Sequence, residues 1–116
     1  MQPTLHFSLT EYQAEVCTGQ RLRISCPDDH LIVVKSAVFG YGITPQCGSG
    51  VRLPTDTCTS DNAMHKVARA CSGLQACSQR IGLQIANGEC VNAGSKLEVT
   101  YICEHGMHSF ILICIL

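Results

Sequence analysis

The stretch Cys17-Thr18-Gly19-Gln20-Arg21-Leu22-Arg23-Ile24-Ser25-Cys26 decides how the rest of the chain is read. From Gln20 it alternates. Leu22, Ile24 and Cys26 fall on one face and Arg21, Arg23 and Ser25 on the other, as in a strand buried on one side. Pro27-Asp28-Asp29 supplies turn chemistry, and Leu31 to Phe39 is rich in β-branched residues and almost continuously apolar. That segment reads as a second, more buried strand, antiparallel to the first and forming a hairpin with it. Near the other end, Lys96 to Cys103 alternates again, with Leu97, Val99, Tyr101 and Cys103 facing inward. It reads as a third, central strand.

Between these strands, Gly40 to Ser60 holds six Gly or Pro residues and two cysteines, which predicts a long loop held by disulfides. Asp61 or Ser60 is placed to cap a helix whose Met64, Val67, Ala68 and Cys71 follow the i, i+3, i+4, i+7 stripe. His65, Lys66 and Arg69 fall on its wet side, and Ser72-Gly73 stops it. A second, short helical turn is expected over Leu74 to Gln79. A loop follows over Gly82 to Gly94, with Asn87-Gly88 as its strongest turn signal.

Composition limits what such a framework does. A chain of 116 residues fits one domain, and nine cysteines without a tryptophan describe a modest core supplemented by covalent staples. The formal charge of −1 and the lack of any basic run interleaved with aromatics exclude nucleic acid as the expected partner. The cysteine density points to an extracellular or secretory-pathway setting, yet Met1 to Thr10 does not resemble a leader. The chain is therefore expected to be a fragment, a mature domain or one whose leader is missing. Phe110 to Leu116 is seven apolar residues, well short of the roughly 20 of a membrane span, so membrane contact is expected only if this is a truncated segment.

Reactive chemistry has little foothold. The closest cysteine pair, Cys71 and Cys77, is spaced too widely for a zinc ribbon, and Cys103, His105 and His108 lack a fourth clustered ligand. No metal and no cofactor is expected. No redox Cys-x-x-Cys, nucleophile elbow or phosphate loop occurs. Most of Asp28, Asp29, Asp56, Asp61, Glu89 and Glu98 are explained as turn, cap or solvated strand residues rather than a hydrolytic pair. The chain is not expected to be an enzyme.

Taken with their flanks, the cysteines resemble the galactose- or rhamnose-binding lectin domain of the sea-urchin-egg-lectin (SUEL) type. The likeness rests on Cys17 to Pro27, on Ala37-Val38-Phe39-Gly40, on Cys71-Ser72-Gly73-Leu74-Gln75-Ala76-Cys77, and on Gly88-Glu89-Cys90 followed thirteen residues later by Cys103. It implies an α+β fold: a small disulfide-stapled antiparallel β-sandwich with one or two short helices. It divides the chain into an N-terminal extension over 1–15, a lectin domain over 16–104 and a hydrophobic tail over 105–116. It also implies the pairs Cys17–Cys47, Cys26–Cys103, Cys58–Cys90 and Cys71–Cys77, a choice that spacing cannot make among 105 connectivities. Cys114 is left over.

The resemblance further implies calcium-independent binding of glycans that present terminal galactose- or rhamnose-like hydroxyls. The positions where family members carry an acid, a tyrosine, an aspartate and a lysine for sugar are here Thr18, Phe39, Gly88 and Ser95. Glu89 and Lys96 lie one position from the missing acid and amine, and Tyr41 offers a ring and hydroxyl nearby. In a strand a one-residue offset reverses the face, so Glu89, in a loop, is the stronger substitute. The alternative is a non-sugar-binding protein-interaction domain of a larger adhesion receptor, or an accessory domain of a secreted enzyme, with a protein ligand.

Overall fold

The computed structural model describes residues 10–42, 47 and 57–106. Its secondary structure runs β1 (Tyr12–Cys17), β2 (Arg21–Ser25), β3 (His30–Tyr41), β4 (Cys58–Ser60), α1 (Ala63–Cys71), β5 (Ala76–Arg80) and β6 (Lys96–His105). β1, β6, β3 and β4 form a four-stranded sheet in that order, and β2 and β5 form a separate two-stranded ribbon. Every pairing is antiparallel. This is the small disulfide-stapled α+β fold that the cysteine flanks imply.

The core lies between the two layers. Leu22, Ile24 and Cys77 enter it from the ribbon, Val16, Ala37, Phe39, Leu97 and Val99 from the large sheet, and Ala63, Val67 and Cys71 from the helix. β6 is interior to the sheet, as its alternation predicts, and Leu97, Val99 and Tyr101 are buried. Along β3 the register with β6 shifts between Val34 and Ser36, a bulge that lifts the exposed Lys35 out of the ladder.

Three expectations are corrected. β2 and β3 are not a hairpin: β2 pairs with β5, from Arg21↔Arg80 to Ser25↔Ala76, while β3 pairs with β6 and β4. Alternation reports that a strand faces the core, not which strand lies beside it. Here the Pro27–Asp29 turn, with Asp29 at φ 66°, carries the chain from one layer to the other. Leu74 to Gln79 is not helical. The Cys26 amide donates to the Gln75 carbonyl and the Ile32 amide to the Leu74 carbonyl, both at 2.8 Å, which draws this segment out between the layers and into β5. The helix begins at Ala63 behind Asn62, with no side-chain cap, rather than behind Asp61 or Ser60. The Ser60 hydroxyl is engaged elsewhere, donating to Glu89 at 2.7 Å. β1 and the three-residue β4 carry too little periodicity to be read from sequence, and β1 draws Tyr12 to Glu15 of the N-terminal segment into the sheet.

All four disulfides pair as the resemblance implies, with Cα–Cα distances of 5.2 to 5.7 Å. Cys114, His108 and the hydrophobic tail, like most of the 40–60 loop, lie outside the described residues. Cys26–Cys103 joins ribbon to sheet across a sequence separation of 77, whereas Cys71–Cys77 closes only six. Loop-closure entropy makes the first worth about 4 kcal/mol and the second about 2. We therefore expect Cys26→Ala/Cys103→Ala to lower the guanidinium unfolding free energy by about twice as much as Cys71→Ala/Cys77→Ala. Equal losses would show that loop closure does not govern what each bridge contributes.

Candidate functional site

The residues singled out from sequence gather at one end of the large sheet. Cys17, Lys96, Gly40 and Thr59 stand in register across its four strands, so Thr18, Ser95, Tyr41 and Cys58 mark where those strands begin or end. Cys17–Cys47 and Cys58–Cys90 anchor the connections at that end. Gly40 permits the closure. A Cβ there would run into the Cys58 carbonyl oxygen and come within 2.8 Å of the Thr59 Cα, so only glycine lets β4 lie against β3.

Within this cluster the four positions at which the resemblance implies sugar contacts are committed to the fold. Thr18 Oγ1 donates to the Ser95 carbonyl at 3.1 Å. Phe39 is fully buried in the core. Gly88 sits at φ +82°, following Asn87 at φ 60°, in the turn that Asn87-Gly88 predicts. Ser95 is fully buried; its Oγ donates to the Cys90 carbonyl at 2.8 Å and accepts from the Asn92 amide at 2.7 Å. These bonds hold Cys90 in the left-handed region, at φ 57°, an uncommon conformation for a non-glycine residue that fixes where Glu89 points.

The two offset residues have different fates. Lys96 is 2% exposed, with its Nζ 3.3 Å from Glu15 and 3.4 Å from Glu98 on the outer face of the sheet. Its ammonium is structural: a buried cation needs paired acceptors to offset desolvation. Glu89 is exposed, and its Oε1 accepts from the Ser60 hydroxyl and from the Asn62 side-chain amide. One carboxylate oxygen is thus fixed by two donors. Tyr41, half-buried at the end of β3, pairs with Cys58 in the backbone register.

Glu89 opens on a surface depression of about 790 Å³ whose lining includes Thr59, Ser60, Asp61, Asn62 and Val38. It combines two carboxylates, two hydroxyls and an amide with a small apolar floor. Such groups accept from and donate to vicinal hydroxyls. Sequence pattern points Ser60 and Asp61 toward a helix cap and gives Thr59 and Asn62 no role. The signal that finds them is the Cys58–Cys90 pairing, which brings 58–62 against 89. Among the described residues no group of three or more His, Cys, Asp or Glu converges on a metal site.

Comparison with known proteins bears on this arrangement. The profile of the D-galactoside/L-rhamnose binding SUEL lectin domain matches residues 24–103. The chain belongs to the SUEL lectin family. Its SUEL-type relatives include the D-galactoside-specific lectin of Heliocidaris crassispina, 30% identical over 90 residues, covering 76% of this chain and 86% of that lectin. The L-rhamnose-binding lectin ELEL-1 of Echinometra lucunter is 29% identical over 89 residues, again 76% of this chain and 86% of the relative. Human protein eva-1 homolog C is 30% identical over 92 residues, but these make up only 21% of its length.

The buried Ser95 hydroxyl organises the SUEL-type loop behind Glu89. Ser95→Ala leaves the Asn92 amide and the Cys90 carbonyl without that partner, and each unsatisfied group costs about 1 to 3 kcal/mol. Chemical denaturation should show a loss of about 2 kcal/mol or more, and hydrogen exchange should show faster exchange of the Asn92 amide. A loss within error would mean that the loop is fixed by the Cys58–Cys90 bridge alone.

Proposed function

We propose that this chain is a non-enzymatic, calcium-independent carbohydrate-binding module of galactose/rhamnose type whose sugar contacts have moved from the usual family positions to the Glu89 cluster. The observation that carries this reading is the geometry around Glu89. Its exposed carboxylate is held by Ser60 and Asn62 at the rim of a depression that also presents Asp61 and Thr59. A pre-oriented carboxylate accepts two sugar hydroxyls without first losing side-chain freedom. Val38 in the lining offers apolar surface to the C–H face of a pyranose, and Tyr41 stands at the same sheet end. The ligand is a glycan with terminal galactose- or rhamnose-like hydroxyls. Four disulfides fit an extracellular or secretory-pathway setting. The lectin domain spans residues 16–104 on this reading.

A second reading is supported by a separate observation. Thr18, Phe39, Gly88 and Ser95 present no charged group to solvent, and in human protein eva-1 homolog C the similar segment is about a fifth of a longer chain. On that reading the module is a non-sugar-binding interaction domain of a larger protein.

A glycan array probed with the oxidised protein separates the two. Galactose- or rhamnose-terminated glycans should be retained equally in calcium and in EDTA. Glu89→Ala should weaken binding by about 10- to 150-fold, the equivalent of one or two charge-assisted hydrogen bonds, and Tyr41→Ala by a smaller factor. No retention at any glycan density, or retention indifferent to Glu89→Ala, would overturn the Glu89 site.

A further inference from the structure

The outer face of the β2–β5 ribbon carries Arg21, Arg23 and Ser25 from one strand and Ala76, Ser78 and Arg80 from the other. Arg21 stands directly opposite Arg80, and Arg23 opposite Ser78. Neither strand contains an acid. Asp28, beyond the far end of β2, accepts from Gln75 Nε2 at 3.0 Å. Like charges placed directly across an antiparallel pair, with Cβ atoms about 5 Å apart, destabilise the pairing. The fold retains that cost in a chain of net charge −1. The neutral contacts here, Arg21 Nη1 to Ser78 Oγ at 3.4 Å and Arg80 Nη1 to the Gly19 carbonyl at 3.2 Å, orient the guanidiniums without neutralising them.

Beside this cationic row lies a shallow trough of about 420 Å³ lined by Arg23, Ser25, Ala76 and Ser78 together with Ile24 and Cys77. It offers a guanidinium, two hydroxyls and a small apolar floor in one strip. We propose that the ribbon is a second binding surface, distinct from the Glu89 depression, for an anionic polysaccharide bearing sulfate esters. Sulfate groups bridge the Arg21–Arg80 pair and reach Arg23, about 7 Å along the strand, while Ser25 and Ser78 meet ring hydroxyls. Guanidinium forks suit tetrahedral oxyanions. The hydroxyl-lined trough favours a sugar chain over an acidic peptide, whose recognition would call for backbone donors or pockets for side chains. The two surfaces are separate: the trough and the Glu89 depression share no lining residue.

The test uses the full oxidised chain on immobilised dextran sulfate, with neutral dextran and poly-glutamate as parallel supports. Wild type should be retained on dextran sulfate at about 0.15 M salt, elute with rising salt and resist displacement by galactose. Arg21→Gln/Arg23→Gln/Arg80→Gln should reduce affinity by about tenfold or more. The control Lys35→Gln/Arg69→Gln, which removes two cations away from the ribbon, should not. The denaturation midpoint of the triple variant should equal or exceed that of wild type, since cross-strand repulsion is relieved. Equal retention of the triple variant and wild type, or equal retention of wild type on poly-glutamate, would overturn the proposal.

Discussion

The fold depends on one covalent constraint between its two layers. Cys26 follows the end of β2 in the ribbon and Cys103 sits on β6, an interior strand of the large sheet; their bond ties the layers together with 5.7 Å between the two Cα atoms. Neither layer is sufficient alone, because a two-stranded ribbon is marginal in water and the three-residue β4 contributes little. Once the layers are joined, Leu22 and Ile24 share one core with Val99 and Phe39. The Leu74–Gln75 backbone then finds partners in both layers, with Ile32 and Cys26. Cys71–Cys77 adds the helix to the same unit by binding its last residue to β5.

Much of this is legible in the sequence where side-chain pattern and local chemistry agree. The inward residues of β2 and β6, the helix stripe through Val67 and Cys71, and the Asn87-Gly88 turn all follow from periodicity or backbone preference. The partnership of β2 with β5 does not. β2 buries Leu22 and Ile24 at the spacing of two, and that spacing is silent about the edge along which hydrogen bonds form. β5 is harder still, since only Cys77 of its five residues is buried. Its extended form comes from backbone bonds made by Leu74 and Gln75, which no side chain announces.

The candidate site divides along the same line. Family likeness places Thr18, Gly88 and Ser95 near one another, and the register shows why Thr18 and Ser95 meet: they cap neighbouring strands at one sheet end. What sequence could not supply is whether a polar side chain at such a position faces solvent or serves the fold. Ser95 and Lys96 look alike as candidates, yet both are buried, one satisfied by loop backbone and the other by Glu15 and Glu98. Glu89 differs because its turn is held in the left-handed region from Asn87 to Gly88 and again at Cys90, which leaves its carboxylate at the surface.

The distribution of charge connects the two proposed binding surfaces. Glu15 and Glu98 stand opposite each other on β1 and β6, beside the buried Lys96, and Asp61 and Glu89 lie at the end of the same sheet. The arginines of the ribbon lie on the other layer. A net charge near zero thus conceals a polarised module, and the small total field gives no hint of the local ones. Neutral sugar is recognised by oriented acceptors at close range and gains nothing from a long-range cationic field. A sulfated chain does gain from such a field and would be repelled by the carboxylates around Glu89. On these proposals the acids around Glu89 and the arginines of the ribbon form separate clusters, so a neutral sugar and a sulfated chain would each meet the charge that suits it.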